Sequence, residues 1–251
     1  MLTMIFLCTA GFLGALVDSI AGGGGIITVP AYLMAGMPPH IALGTNKFAS
    51  SCASLTSSVK FAQSSKVDFK LLKLLAPFTL IGAFCGVSAV LVLKADFLST
   101  IVLIMLVGVA LYSLFFKTVG MEDNFKGLNK KNVILGIFLA FGLGFYDGFF
   151  GPGAGSFLIF GMISIYGFDF VRAGGNSKVL NFLSNVMSLI IFAFNFQINY
   201  MIGVPVAISM ILGARFGTSL ALKKGARLMK PIFVTMSLLV AVKMLYGIIF
   251  K

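Results

Sequence analysis

The sequence is poor in charge, in histidine and in cysteine, and each shortage excludes a class of protein. Charged residues make up 10% of the 251 residues, against about 25% in an ordinary soluble domain, so the chain is not a soluble globular enzyme. It has one histidine and neither an HExxH nor a GxSxG motif, which leaves an intramembrane enzyme without support. The three cysteines form no CxxC pair, so we expect neither a disulfide framework nor a zinc site, and we assign no cofactor.

Apolar residues and glycine dominate instead. Hydrophobic residues account for 59% of the chain and glycine for 29 positions, and glycine is more frequent in membrane helices than in soluble ones. A membrane-spanning helix needs roughly 20 apolar residues, so the chain has room for at most about ten crossings and none for a separate soluble domain. The composition predicts an all-α polytopic protein of the lipid bilayer.

The apolar runs form two series of five, which predicts two internally repeated halves. We place the first transmembrane repeat at residues 1–116, a polar cytoplasmic linker at 117–131 and the second repeat at 132–251; the last run of each half lies at 97–116 and 231–250. Three sets of residues recur at matching spacing: Asp18 and Gly22 as Asp147 and Gly151; Ala42, Gly44 and Lys47 as Ala173, Gly175 and Lys178; Gly82, Ala83 and Gly86 as Gly213, Ala214 and Gly217. The GxxxG spacing in the last set indicates close helix packing.

The basic residues predict that the two halves are inverted. The net charge of +12 does not indicate nucleic acid, because Lys and Arg lie in short segments between apolar runs, where they retain loops in the cytoplasm. The loop after the third run is lysine-rich in the first half only, and the loop after the fourth run in the second half only: Lys60, Lys66, Lys70 and Lys73, against Lys223, Lys224, Arg227 and Lys230. Corresponding loops then lie on opposite sides of the membrane.

The number of membrane segments stays open at this point. The second and third runs of the first half are short and rich in Gly and Ser, so they either cross the membrane or form re-entrant hairpins. We therefore expect about 8–10 segments, including helices broken at glycine.

Two Gly-rich segments interrupt the apolar runs at corresponding positions, 18–30 and 147–155, and each opens on an acidic residue. Backbone this irregular cannot face lipid, because unsatisfied amides there cost several kcal/mol each. Gly-interrupted segments at matching positions in two halves point to the central site of a transporter. Asp18 and Asp147 either cap the broken helices or couple transport to protons or cations. The candidate substrate contacts in these breaks are Gly23, Gly24 and Gly153.

A second pair of motifs joins a lysine to small polar residues: the sequence ALGTNK at 42–47 returns as AGGNSK at 173–178. Thr, Asn and Ser are good N-cap residues, so we expect a helix to begin in each motif with the lysine in its first turn. A cation there opposes the helix macrodipole and is costly at membrane depth; an anionic ligand would resolve both conflicts. The alternative is that both lysines snorkel to an interface. The candidate substrate-binding residues are Thr45, Asn46, Lys47, Gly175, Asn176, Ser177 and Lys178.

At these residues the chain resembles the TauE/SafE family, the sulfite exporter or toluene-sulfonate uptake permeases. The similarity rests on 18–30, on the Gly-Thr-Asn-Lys that ends at Lys47, on Val-Asp-Phe at 67–69 and on the Gly-Gly-Asn-Ser-Lys that ends at Lys178, and it covers nearly the whole chain. It implies a permease of the inner or plasma membrane for small sulfur-containing anions such as sulfite, sulfoacetate or related sulfonates. The substrate-side positions that it implies are Asn46, Lys47, Asn176 and Lys178.

The second glycine stretch departs from the first, because it carries Phe149, Phe150 and Pro152, so we expect the two pockets to be unequal. The function expected from the sequence is a secondary transporter, not an enzyme. Its partners are a small anionic substrate, the lipid bilayer, and protons or cations as coupling ions. The alternatives are a non-transporting membrane scaffold and a permease for a different small organic anion.

Overall fold

The structure, a computed structural model, describes residues 1–94, 97–98 and 122–224. Eight complete helices lie in these residues: α1 (Leu2–Ala21), α2 (Gly25–Met34), α3 (Pro39–Gln63), α4 (Phe69–Leu91), α5 (Lys130–Phe149), α6 (Ala154–Tyr166), α7 (Phe170–Phe194) and α8 (Tyr200–Lys224). The all-α fold class is confirmed. The predicted last run of each half, at 97–116 and 231–250, lies outside the described residues apart from 97–98.

Five of these helices, α1, α4, α5, α7 and α8, are long and apolar enough to cross a membrane. Large apolar side chains are exposed along them, as a lipid-facing surface requires; examples are Phe84, Phe138 and Phe216. The helices α2 and α6 have 10 and 13 residues, fewer than the roughly 20 needed to span a bilayer. The sequence left open whether the second and third runs of the first half cross the membrane or re-enter it. The second run is the short α2, and the third lies in α3, which has 25 residues. The chain is a multi-pass membrane protein.

Glycine allows two pairs of helices to pack at close range. A Cβ added to Gly86 of α4 would lie 2.1 Å from the carbonyl oxygen of Phe145 in α5, and one added to Gly217 of α8 would lie 2.3 Å from that of Leu16 in α1. No other residue fits at these distances without moving a backbone. This is the packing role that the GxxxG spacing predicts, and it joins α4 to α5 and α8 to α1.

The central helices α3 and α7 run in opposite directions. Gly44, near the start of α3, contacts Gln197 just beyond α7, and Gly175, near the start of α7, contacts Lys66 just beyond α3. An inverted pair of halves requires this antiparallel arrangement, although the duplication and the membrane orientation stay predictions. We call the end of the bundle where α3 ends and α7 begins the basic end, because several cations gather there: Lys60, Lys66, Lys70, Lys130 and Arg172. The opposite end is the one where Thr45 and Asn199 meet.

Candidate functional site

Two broken helices meet in the middle of the bundle. The chain turns at Gly22 between α1 and α2 and at Gly151 between α5 and α6, with φ values of 72° and 95° that favour glycine. Ser156 Oγ donates a hydrogen bond of 2.8 Å to the Gly22 carbonyl. A Cβ added to Gly22 would lie 2.3 Å from the Ser156 backbone nitrogen, so the two breaks touch through backbone.

A buried ion pair ties α3 to α5 beside this contact. Lys47 Nζ lies 2.8 Å from Asp147 Oδ1, and the two side chains are 2% and 3% exposed. The same Nζ donates a hydrogen bond of 3.0 Å to Asn185 Oδ1 on α7. Asp147 Oδ2 accepts hydrogen bonds from Asn181 Nδ2, at 3.0 Å, and from Ser184 Oγ. Asp147 is therefore held by one cation and two neutral donors, all of them side chains.

A second ion pair ties α7 to α1. Lys178 Nζ lies 2.5 Å from Asp18 Oδ2, and the lysine side chain is 1% exposed while that of Asp18 is 22% exposed. Asp18 Oδ1 accepts hydrogen bonds from the backbone N–H groups of Gly23 and Gly24, at 3.0 and 3.2 Å. Asp18 therefore satisfies amides just before α2, which is a capping role, and pairs with a lysine as well. Each lysine pairs with the aspartate of the other half.

A polar cavity of about 30 Å³ lies between the two breaks. That is room for about two water molecules, since one water needs roughly 10–15 Å³ on this measure. Its wall contains both aspartates and Lys47, whereas Lys178 lies behind Asp18. The lining residues are Asp18, Gly23, Gly24, Gly25, Asn46, Lys47, Ser50, Asp147, Gly151, Gly155, Asn181, Asn185 and Met210.

The predicted helix starts are wrong. The helix α3 begins at Pro39 and α7 at Phe170, where Asp169 accepts hydrogen bonds from two backbone N–H groups. A proline at the first turn and an aspartate cap therefore place each start several residues before the motif, so both lysines lie inside their helices. The expected conflict with the macrodipole does not arise. The snorkelling alternative is also wrong, because both lysines are buried and ion-paired.

The structure brings some of the predicted site residues together and separates others. Gly23, Gly24, Asn46 and Lys47 line the cavity with the two aspartates. The others lie outside its wall, and three of them join helices to loops. Thr45 Oγ1 accepts a hydrogen bond from Asn199 N, Asn176 Oδ1 accepts one from Asp68 N, and Gly175 packs on Lys66 O. The predicted contacts outside the wall are Thr45, Gly153, Gly175, Asn176, Ser177 and Lys178.

Sequence reasoning missed the polar residues of α7 that follow the lysine. Asn181, Ser184 and Asn185 hold Asp147 and Lys47 in place, and Ser50 of α3 lines the cavity. The sequence did contain a signal for the α7 residues. They are polar residues three or four positions apart in an otherwise apolar helix, and this spacing puts them on one face.

A second charged cluster lies at the basic end. Arg172 donates hydrogen bonds to Asp68 Oδ2 and Asp123 Oδ2, at 3.1 and 2.9 Å. Its guanidinium carbon lies 4.6 Å from the ring centre of Phe125 and 4.3 Å from that of Phe168. The cluster borders an open cavity of about 420 Å³ and ties the segment before α5 to the start of α7.

Comparison with known proteins gives one family. The family model of the sulfite exporter TauE/SafE matches residues 7–244. A probable membrane transporter protein of Haemophilus influenzae is 35% identical over 245 residues, which are 98% of this chain and 95% of the relative. The probable membrane transporter protein ORF9 of Sinorhizobium is 35% identical, over 96% of this chain and 92% of the relative.

A third relative, the probable membrane transporter protein YfcA of Escherichia coli, is 36% identical over 93% of this chain and 86% of its own length. No solved structure matches the chain significantly. The match to the family model and these relatives extend over nearly the whole chain, and the helices have the composition of membrane spans. The chain belongs to the TauE/SafE family and is a membrane transporter.

Proposed function

We propose that the chain carries small sulfur-containing anions, sulfite first among them and sulfoacetate or a related sulfonate next, through the cavity between the two helix breaks. The observation that carries this proposal is a cavity rich in hydrogen-bond donors next to Lys47, enclosed where two broken helices meet. Such a meeting of half-helices near the middle of the bundle is where secondary transporters bind substrate.

The free donors of the cavity suit an anion with several oxygens. Asn46 Oδ1 accepts a hydrogen bond from Thr28 Oγ1, and Asn185 Oδ1 accepts one from Lys47 Nζ. These bonds do not use the Nδ2 groups of the two amides. These Nδ2 groups and Ser50 Oγ donate no hydrogen bond within the described part of the chain, and all three residues line the cavity. Three neutral donors and one ammonium group match the three acceptor oxygens of sulfite or of a sulfonate head group.

The apolar part of the wall is small. Met210 is the one large apolar side chain among the described lining residues. A bulky aromatic or alkyl sulfonate would leave its apolar surface against amides and carboxylates, which costs the desolvation of those groups. The lining therefore favours a compact anion.

The cavity is narrow in this conformation. A volume of about 30 Å³ holds about two waters, so we infer that binding an oxyanion requires the helices around the cavity to move apart. We propose that the helices around the glycine contact between the breaks move against each other to admit it.

The test is counterflow in proteoliposomes. Full-length protein loaded with unlabelled sulfite should take up labelled sulfite, and Lys47→Ala should lower the exchange rate by about 100-fold or more, since a buried ion pair loses its cation. The matched control is Lys60→Ala. This lysine lies on the same helix but donates to Arg215 O and Ser219 Oγ outside the cavity, so exchange should stay unchanged.

Loss of exchange alone does not distinguish a substrate ligand from a structural lysine, so the pair is also removed together. The double variant Lys47→Met, Asp147→Asn leaves no unpaired charge and should recover the folded yield without recovering exchange. Full exchange in the double variant would contradict the proposed site. Sulfate, sulfoacetate and acetate as competitors rank the anions, and inhibition by acetate alone would indicate a permease for a different small organic anion.

A further inference from the structure

The charged residues of the cavity balance one another, and this makes an added anion expensive. In the described part of the chain, four charged residues line the cavity or are bonded to a group in its wall: Lys47, Asp147, Lys178 and Asp18. Their charges sum to zero. An anion that entered alone would leave a net negative charge inside the membrane-spanning part of the protein, where unpaired charge is costly.

The charged groups that face Asp18 are few. Lys178 contacts it from α7, and Lys47 of α3 and Asp147 of α5 lie around the same cavity. The helices α2 and α6 contain no Asp, Glu, Lys, Arg or His, and their titratable side chains are phenols. The charged residues of α8 that the structure describes are all exposed: Arg215, Lys223 and Lys224.

Asp18 and Asp147 differ in the partners of their carboxylate oxygens. Both oxygens of Asp147 accept from side-chain donors, and its side chain is 3% exposed, so a proton on either oxygen would displace a hydrogen bond. In Asp18 the two backbone amides occupy Oδ1 alone, while Oδ2 has Lys178 as its one partner among the described residues. A neutral Asp18 keeps both amide bonds on its carbonyl oxygen. Its side chain is also 22% exposed, so water reaches it.

We propose that Asp18 is the proton-binding site that couples transport, and that one proton enters with each monoanion. This rests on the proposed function. The Asp18 carboxylate takes up a proton at Oδ2 and becomes a neutral carboxylic acid, which breaks its ion pair with Lys178. The positive charge of Lys178, behind the wall, then balances the charge of the entering anion. Before and after the step the site has zero net charge, so transport of a monoanion is electroneutral.

The first test uses native protein in proteoliposomes at a mildly acidic pH, where the bisulfite monoanion predominates. An inward proton gradient should drive accumulation of labelled sulfite, approaching about tenfold per pH unit for one proton per anion. An imposed membrane potential should have no effect. Uptake driven by the potential and indifferent to the pH gradient would overturn the proposal, while counterflow would still stand. Absence of counterflow would instead overturn the proposed function.

The second test assigns the proton to Asp18. The readout is the ratio of uptake with and without the gradient. Asp18→Asn should reduce this ratio to one, and Asp18→Glu, which keeps a titratable carboxyl, should preserve part of it. Glu122→Gln, the same change at an exposed carboxylate, should keep the native ratio. If Asp18→Asn is inactive, the pair Asp18→Glu and Asp147→Glu decides. Gradient stimulation that survives in Asp18→Asn, or only in Asp147→Glu, would overturn the assignment.

Discussion

Each ion pair of the site joins a lysine of one half to an aspartate of the other, yet the surroundings of the two pairs differ. Lys47 and Asp147 are both buried and are surrounded by the side chains of Asn181, Ser184 and Asn185. Lys178 is equally buried, but its partner Asp18 is partly exposed and is held by backbone amides. Side chains hold one carboxylate, and backbone amides at a glycine break hold the other.

The difference shows how a repeated motif can serve two purposes. Donors contact both oxygens of Asp147, so we expect its pair with Lys47 to stay intact. One oxygen of Asp18 has Lys178 as its sole partner among the described residues, so we expect this pair to open more easily. We expect the first pair to govern folding and binding and the second to govern coupling.

The largest predicted loss of stability follows from breaking the pair of Lys47 and Asp147. Asp147→Asn leaves Lys47 as an uncompensated buried charge, which costs about 3–5 kcal/mol of stability. We expect a large fall in the yield of folded protein and in the thermal midpoint measured by gel filtration after heating. Lys47→Met in the same chain should restore most of that loss. A single variant as stable as the native protein would show that the pair is not structural.

A smaller loss of stability is expected from breaking the pair of Lys178 and Asp18. Asp18→Asn leaves Lys178 without its anion, but it keeps an oxygen to accept from Gly23 and Gly24 at a partly exposed position, so the loss should lie near the lower end of that range, about 3 kcal/mol. The same heating assay compares the two asparagine variants directly. Equal losses would remove the distinction between the pairs on which the assignment of the coupling residue depends.

The close contact between α1 and α8 gives a third prediction. Gly217→Ala puts a Cβ 2.3 Å from Leu16 O and should cost about 1–3 kcal/mol as overpacking. Gly142→Ala is the control, because nothing lies within 4 Å of its added Cβ. There we expect no loss, or a gain of about 0.5–1 kcal/mol from the better helix former. Equal thermal midpoints for the two variants would contradict the close packing of α1 and α8.

The smallest effect is expected at the basic end. Arg172→Met removes two partly exposed ion pairs, worth about 0.2–1 kcal/mol each, and two contacts with aromatic rings. Ile41 holds the position of the first half that matches Arg172 in the sequence. We expect a modest loss of stability with sulfite counterflow retained. Abolished counterflow would move the substrate site toward this cluster.

How far the sequence predicted the site is clearest at particular residues. The positions of both lysines, both aspartates and the two glycine breaks followed from their repetition and from the cost of charge and open backbone in a membrane. The pairing of each lysine with the aspartate of the other half did not follow, because it depends on how α3 and α7 cross. The predicted helix starts were wrong because the helices begin further upstream, at Pro39 and after the Asp169 cap, and not at the capping residues Thr45 and Asn176.

The most direct measurement is a structure of the protein with selenite, the heavier three-oxygen analogue of sulfite, located by its anomalous scattering. The account predicts a peak in the cavity between the helix breaks, within hydrogen-bond distance of Lys47 Nζ and of the Nδ2 groups of Asn46 and Asn185. A peak beside Arg172 in the open cavity at the basic end, with none between the breaks, would contradict it.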